Sequence, residues 1–168
     1  MFDSVVLGVD PGLGSVGFAV LGRDRGRPVL VWAATLTTPA DATTEARLRR
    51  IHAVAGEILA ERRPGALAVE RLLWGRNTGS AMQVARASGV VMLAAAQAGV
   101  PVTEYAPLEV KMAVTGVGNA AKDQVRRGLG MILGREAVPS QPDAADAVAV
   151  AVCHLQQSRI RGLAGAAR

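Results

Sequence analysis

The chain has 168 residues, of which 50% are hydrophobic, and this length favours one well-buried domain over two. Lysine and arginine number 19 against 14 acidic residues, and the net charge of +5 is typical of a protein with a polyanionic partner. The single cysteine, Cys153, excludes an intramolecular disulfide and a cysteine-rich zinc site, which favours a cytoplasmic location. The N-terminus has no basic region before its apolar segment, so we expect no signal peptide.

The first part of the chain contains three short apolar or β-branched segments. They predict strands over 4–9, 14–21 and 29–37, and their close spacing indicates antiparallel strands joined by hairpins. From 42 to 63 the pattern changes, because apolar residues recur with a period of 3.6. That period predicts an amphipathic helix, which ends at Pro64.

The remainder of the chain alternates between helix and strand patterns. Strand patterns cover 66–70 and 102–105, and helical patterns cover 78–98, 108–114, 123–133 and a last segment that opens at 140–143. This order predicts an α/β fold with a mixed five-stranded sheet, in which three antiparallel strands are followed by parallel ones and helices cover both faces. We expect one domain over residues 1–158 and a frayed tail over 159–168, which has little to pack against.

The predicted helix over 78–98 is apolar on nearly every side. Arg86 and Gln97 interrupt the apolar stretch, which therefore fails as a membrane span. Apolar side chains around the whole helix need cover beyond one sheet face, so the pattern predicts either a homodimer contact or complete burial within one protomer. The sequence leaves these two alternatives open.

Acidic residues interrupt the apolar segments at four positions. Asp10 and Glu70 end two of the predicted strands, whereas Asp143 and Asp146 share one face at the start of the last helix. Each has a structural alternative, because Asp-Pro-Gly is common in turns, a strand end can lie at the rim, and an acid at a helix N-terminus interacts with the helix dipole. As a set they are harder to explain, since a charge beside buried apolar residues is costly unless something balances it.

The predicted sheet provides a way to bring these acids together. Its first and fourth strands can be neighbours and the last helix can pack across them, which places four carboxylates at one end, where their repulsion calls for divalent cations. Oxygen ligands without a His or Cys cluster favour Mg²⁺ or Mn²⁺ over zinc. Two such ions activate water and stabilise the leaving oxygen of a phosphodiester, so this site in a basic protein indicates a nuclease.

Four segments of the chain resemble, in order, the signature segments of the RuvC-type Holliday junction resolvases: GVDPG, VERLLWGRNTGSA, YAPLEVKMAVTGVGNAAKDQV and QPDAADAVAVAVCH. The resemblance implies an RNase H-like fold, a homodimer and Mg²⁺-dependent paired nicks in four-way junction DNA that leave 5′-phosphates, in recombination and DNA repair. It also implies a branch-migration helicase complex as a partner. By position in these segments, the metal ligands would be Asp10, Glu70, Asp143 and Asp146.

The resemblance also implies DNA contacts for the only two lysines. Lys111 and Lys122 match basic positions of the family that lie near the DNA. Lys122 is expected to offset charge that develops on the scissile phosphate, which gives it a catalytic role. An ordinary surface lysine is the alternative at both positions.

A further set of DNA contacts is expected after the acid of the fourth strand. The family commonly has an aromatic residue there that enters the opened junction, and here Leu73 occupies that position and Trp74 follows it. Trp74 has a second interpretation, as an aromatic residue of the core or of a dimer interface. Arg76 and Asn77, in the same segment, are also expected to contact DNA.

Three other functions compete with junction cleavage. A nuclease of the RNA-processing type with an RNase H-like fold shares the Asp-x-Gly turn, but the Glu70 segment and the acids of the last helix favour the junction enzyme. A sugar-kinase or actin-like ATPase also uses such a turn, but its two-domain architecture needs a longer chain. A non-catalytic junction-binding scaffold would not need four intact carboxylates.

Overall fold

The computed structural model describes residues 4–71 and 78–166. Its elements in chain order are β1 (Val5–Asp10), β2 (Ser15–Asp24), β3 (Arg27–Thr37), α1 (Thr44–Arg62), β4 (Ala66–Glu70), α2 (Thr78–Gln97), β5 (Val102–Tyr105), α3 (Pro107–Thr115), α4 (Lys122–Leu133), a 3-10 turn (Arg135–Ala137) and α5 (Pro142–Ala166). The strands form one five-stranded sheet in the order β3-β2-β1-β4-β5. The first three strands are antiparallel and β4 and β5 run parallel to β1, which confirms the predicted mixed α/β sheet.

The register of the central strands places two of the predicted site residues at one edge of the sheet. β1 pairs with β2 so that Asp10 lies opposite Gly17, and it pairs with β4 so that Val9 lies opposite Val69. Because β1 and β4 are parallel, their last residues, Asp10 and Glu70, are neighbours at the carboxyl edge. This is the arrangement that the sequence predicted for the first and fourth strands.

Alternation along β1 divides the core between the two faces of the sheet. Val6 packs with residues of α3, α4 and α5, whereas Leu7 and Val9 pack with residues of α1 and α2. α5 contributes to the first face a continuous buried run from Ala147 to Cys153. Helices therefore cover both faces, as predicted, and α5 lies on the face opposite α1 and α2.

Two glycines allow α5 to lie directly on β1 and β2. A Cβ atom at Gly17 would overlap the carbonyl oxygen of Asp143, and one at Gly8 would overlap the carbonyl oxygen of Ala147. Gly17 is also the ladder partner of Asp10. The close approach of the two backbones therefore brings the first turn of α5 beside the end of β1.

The hairpin between β2 and β3 is longer than predicted. Arg25 and Gly26 have φ angles of 49° and 80° and form a two-residue turn, so the ladder continues through Arg23 and Asp24. Charged residues there indicated a loop in the sequence, but paired strands at an exposed hairpin tip can carry charge on their solvent side. β1 likewise includes Asp10, one residue beyond its predicted end.

The two long apolar helices, α2 and α5, can be compared with the sequence predictions for their length and burial. α5 extends to Ala166, beyond residue 158, where the sequence predicts the end of the folded domain. α2 follows the predicted helix, and within the described residues no helix is both long and apolar enough to cross a bilayer. Met82 and Leu93 of α2 are 49% and 51% exposed, so α2 is not completely buried within one protomer.

Candidate active site

The site begins with two acids on rigid sheet. Asp10 and Glu70 occupy partly buried positions at the carboxyl ends of β1 and β4. Val9 and Val69, which precede them, are fully buried, so each carboxylate lies one residue beyond the core. Their placement follows from the apolar sequences of the two strands and from the parallel register.

The other two acids come from the first turns of α5. Asp143 and Asp146 are partly buried, and each has a close polar partner. The hydroxyl of Ser15 donates a hydrogen bond to Asp143 Oδ2. Nζ of Lys122 lies 3.2 Å from Asp146 Oδ2 and forms an ion pair with it.

Charge interactions show that the four carboxylates share one environment. Burial raises the pKa of Asp10 to about 7, and negatively charged neighbours add to this effect. Those neighbours are, in decreasing order of effect, Glu70, Asp146 and Asp143. Burial and the charge of Asp146 also raise the pKa of Glu70. Acids from three separate segments therefore repel one another at this end of the sheet.

Two lysines bring positive charge to the same place. Lys122 begins α4, its side chain is 84% exposed, and its hydrogen bond to Asp146 raises the pKa of the ammonium group. The charge of Lys111, on α3, acts on Glu70 and opposes the rise in its pKa. These are the two lysines that the sequence singled out, and both lie within electrostatic range of the acids.

The donor chemistry of the site fits a hard divalent cation. All four acids offer oxygen ligands, and the burial and repulsion that raise the pKa of Asp10 would both be offset by the positive charge of such an ion. In the part of the chain that the structure describes, no three His, Cys, Asp or Glu side chains already form a group that could hold an ion. Asp143 and Asp146 each contact their hydroxyl or ammonium partner through Oδ2, which leaves Oδ1 of each carboxylate available to an ion.

Sequence reasoning missed two sets of contacts around the start of β2. Ser15 was predicted only as part of a strand, yet its hydroxyl is bonded to Asp143. Thr38 is 3% exposed, and its hydroxyl donates to the carbonyl oxygen of Leu13 at 2.5 Å and accepts from Arg47 Nε at 2.8 Å. These contacts join residues that are far apart in the sequence, so no local sequence pattern predicts them.

The raised pKa of Asp10 leads to a prediction for stability. The folded chain binds a proton at Asp10 up to about pH 7, whereas the unfolded chain releases it near 3.8, so the free energy of unfolding falls as the pH rises between these values. We expect Asp10→Asn to raise the thermal stability of the metal-free protein at pH 8, by at most about 4 kcal/mol for three pKa units, and to have little effect near pH 4.

Thermal unfolding in EDTA at the two pH values measures this effect. Asp24→Asn, at the exposed end of β2, is the matched control and should change stability equally little at both. A stability change for Asp10→Asn that is the same at pH 4 and pH 8 would contradict the raised pKa of Asp10.

Comparison with known proteins decides the family. A family model described as crossover junction endodeoxyribonuclease RuvC matches residues 6–154, a range that includes all four acids and both lysines. The chain belongs to the RuvC family. Members of this family are metal-dependent endonucleases, and the chain is accordingly a junction-cutting nuclease rather than the RNA-processing nuclease or the ATPase considered from its sequence.

Individual RuvC proteins match nearly end to end. The protein of Syntrophomonas wolfei is 42% identical over 155 residues, which are 92% of this chain and 90% of the relative. That of Chloroflexus aggregans is 44% identical over 148 residues, or 88% of this chain and 90% of the relative. Both are named crossover junction endodeoxyribonuclease RuvC.

Solved structures confirm the RNase H-like fold that the resemblance implied. RuvC of Thermus thermophilus, in complex with a Holliday junction substrate, matches with a TM-score of 0.87 and 37% identity over 94% of this chain and 96% of that one. The yeast mitochondrial Holliday junction resolvase shares the fold, with a TM-score of 0.64 and 13% identity over 89% of this chain and 78% of that one.

The outcome differs among the predicted site residues. The structure brings the four acids and the two lysines to one end of the sheet, and the role of the acids as metal ligands stays a prediction. The other expected DNA contacts fall in a segment outside the described residues: Leu73, Trp74, Arg76 and Asn77.

Proposed function

We propose that this chain resolves Holliday junctions by hydrolysis at two Mg²⁺ ions, which Asp10, Glu70, Asp143 and Asp146 hold. The observation that carries the proposal is the meeting of four carboxylates from β1, β4 and α5 at one end of the sheet, where burial and the neighbouring charges raise the pKa of Asp10 to about 7. A structural role such as capping or turn formation gives no reason to bring mutually repelling acids together from three segments. A cation site gives such a reason, because the positive charge of bound ions offsets the repulsion among the carboxylates.

The acids of the strands and the acids of α5 have different roles in hydrolysis. Bound at the acids, the ions supply an activated water and neutralise charge on the leaving oxygen. Asp10 and Glu70 hold their carboxylates on rigid strands, whereas Asp143 and Asp146 complete the set from α5. Water attacks phosphorus, the bond to the 3′-oxygen breaks, and a proton passes to that oxygen, which leaves a 5′-phosphate and a 3′-hydroxyl.

The lysines act on the substrate side of the site. The exposed ammonium group of Lys122 needs only to leave Asp146 to reach a phosphate placed at the acids, where it offsets the charge that develops on the scissile group. Lys111 lies on the Glu70 side and contacts the DNA backbone. The bulk of junction affinity comes from such basic residues and from shape.

The segment between β4 and α2 enters the junction. Leu73 or Trp74 parts the stacked bases at the crossover, at a cost of a few kcal/mol that further contacts offset. Arg76 and Asn77 contact the DNA beside them. A branch-migration helicase complex delivers the junction in the cytoplasm, a location that fits the free, buried Cys153.

Two symmetric nicks require two active sites, and a homodimer through α2 supplies them. Met82 and Leu93 are eleven residues apart, so they lie nearly on one line along the helix, and both are about half exposed. Arg86 and Gly89 lie between them on the same exposed face, and large apolar side chains exposed on one face of a helix are typical of an association surface. Sedimentation should show a dimer at micromolar concentration, and Leu93→Glu should shift it toward monomer. A wild-type chain that sediments only as a monomer at that concentration contradicts this part of the proposal.

Cleavage of a labelled four-way junction on a denaturing gel tests the proposed function. Linear duplex and an RNA–DNA hybrid serve as alternative substrates, each with Mg²⁺, Mn²⁺ or EDTA. Metal-dependent symmetric nicks in the junction alone support the proposal. Tight binding without cutting in any metal favours the scaffold instead, and cutting of the hybrid alone contradicts the substrate.

A further inference from the structure

Ser15 connects the start of β2 to the start of α5. It is the first residue of β2 and pairs with Thr37 of β3 in the ladder. Its hydroxyl donates a hydrogen bond to Asp143 Oδ2, across 128 residues of sequence. Neither the fold nor the strand register requires a polar residue at this position, because only the backbone of Ser15 takes part in the ladder.

The backbone before Ser15 is held by hydrogen bonds from Thr38. The Thr38 amide donates to the carbonyl oxygen of Gly14 at 3.0 Å, and the buried Thr38 hydroxyl donates to that of Leu13 at 2.5 Å. Arg47, from α1, donates to the same hydroxyl at 2.8 Å. The Ser15 hydroxyl therefore approaches Asp143 from a backbone with little freedom to move.

We propose that Ser15 is a positioning residue that orients the Asp143 carboxylate for cation binding. This inference rests on the proposed function, because it takes Asp143 to be a ligand. One hydrogen bond to Oδ2 limits rotation of the carboxylate, and it leaves the other oxygen and a lone pair of Oδ2 for an ion. Ser15 itself touches neither the ion nor the DNA.

The expected effect is on metal affinity. Removal of a group that orients a ligand typically weakens metal binding about 10- to 100-fold. We expect Ser15→Ala to raise the Kd for Mn²⁺ about 10-fold and to raise the Mg²⁺ concentration for half-maximal cleavage by a similar factor. Saturating Mg²⁺ should restore most of the cleavage rate, because the ligands themselves remain.

Ser15→Thr and Ser158→Ala separate orientation from a general structural effect. Ser15→Thr keeps the hydroxyl at a strand position that tolerates β-branching, so it should bind Mn²⁺ as the wild type does. Ser158→Ala removes a hydroxyl of α5 that donates to the carbonyl oxygen of Leu155 at 3.1 Å, and it should leave Mn²⁺ binding unchanged. Mn²⁺ binding is read directly by electron paramagnetic resonance, without DNA, after thermal unfolding has shown that each variant folds.

The outcomes separate this inference from the proposed function. Wild-type Mn²⁺ affinity in Ser15→Ala, or equal losses in Ser15→Ala and Ser15→Thr, overturns the positioning role. Asp143→Asn tests the metal site itself. If Asp143→Asn binds Mn²⁺ as the wild type does, the proposed ligand set fails; if it loses binding while Ser15→Ala does not, only the inference about Ser15 fails.

Discussion

Asp10→Asn is expected to reduce cleavage of a four-way junction by at least about a thousandfold, because several kcal/mol of charge stabilisation depend on the ions that this site holds. Asn has nearly the same shape as Asp but no charge, so the change removes a ligand without leaving a cavity. Junction affinity should stay the same or improve slightly, since a negative charge near the phosphates is lost. Glu70→Gln, at the neighbouring strand end, should behave in the same way.

Two assays on the same protein preparation check this expectation. Denaturing gels with Mg²⁺ measure cutting, and gel shifts of the junction in EDTA measure binding. Asp24→Asn provides the matched control, because it makes the same chemical change at an exposed position of β2 and should cut normally. Full cutting by Asp10→Asn would remove the proposed site, and loss of binding together with cutting would mean that the acid shapes the DNA surface rather than the chemistry.

Gly17→Ala is expected to lower both stability and activity. The added Cβ atom would overlap the carbonyl oxygen of Asp143, which is backbone and cannot rotate away, so the first turn of α5 must move off β2. Overpacking of this kind costs about 1–3 kcal/mol, which corresponds to a fall in melting temperature of about 2–12 °C for a chain of this length. Displacement of Asp143 and Asp146 by even 1 Å should lower cleavage on the order of 100-fold.

The control for Gly17→Ala is a glycine with free space around it. A Cβ atom at Gly56, in α1, would meet nothing within 4 Å, so Gly56→Ala should keep full activity. It should also raise stability slightly, by up to about 1 kcal/mol, since Ala favours helix. Thermal unfolding in EDTA and the gel assay read the two effects separately. Wild-type stability and cutting in Gly17→Ala would contradict the close packing of α5 on β2.

The sequence predicted the sheet and the position of the acids because both follow from local patterns. Apolar segments of the right length define the strands, and an acid at the end of a parallel strand lies at the carboxyl edge wherever its neighbours are. Asp10 and Glu70 were therefore placed correctly relative to each other. Asp143 and Asp146 followed from helical spacing and from a helix apolar enough to require burial.

The contacts around the acids were not predictable in the same way. Ser15 meets Asp143 because α5 crosses β2 at close range, and Lys122 meets Asp146 because α4 packs beside α5. The close approach of α5 to β2 depends on the absence of a side chain at Gly17. In a single sequence, Gly17 looks like an ordinary glycine within a strand. The length of the β2–β3 hairpin was also missed, since its charged residues indicated a loop.

The two-residue alternation along β1 has a consequence for how such a chain can change in evolution. Val6 and Gly8 face α5, which carries two of the acids, whereas Leu7 and Val9 face α1 and α2. The packed face of α2 therefore lies across the sheet from α5 and from Asp143 and Asp146. Lineages can therefore alter the exposed face of α2, where we propose that a second copy binds, without changing the residues that hold the acids of α5.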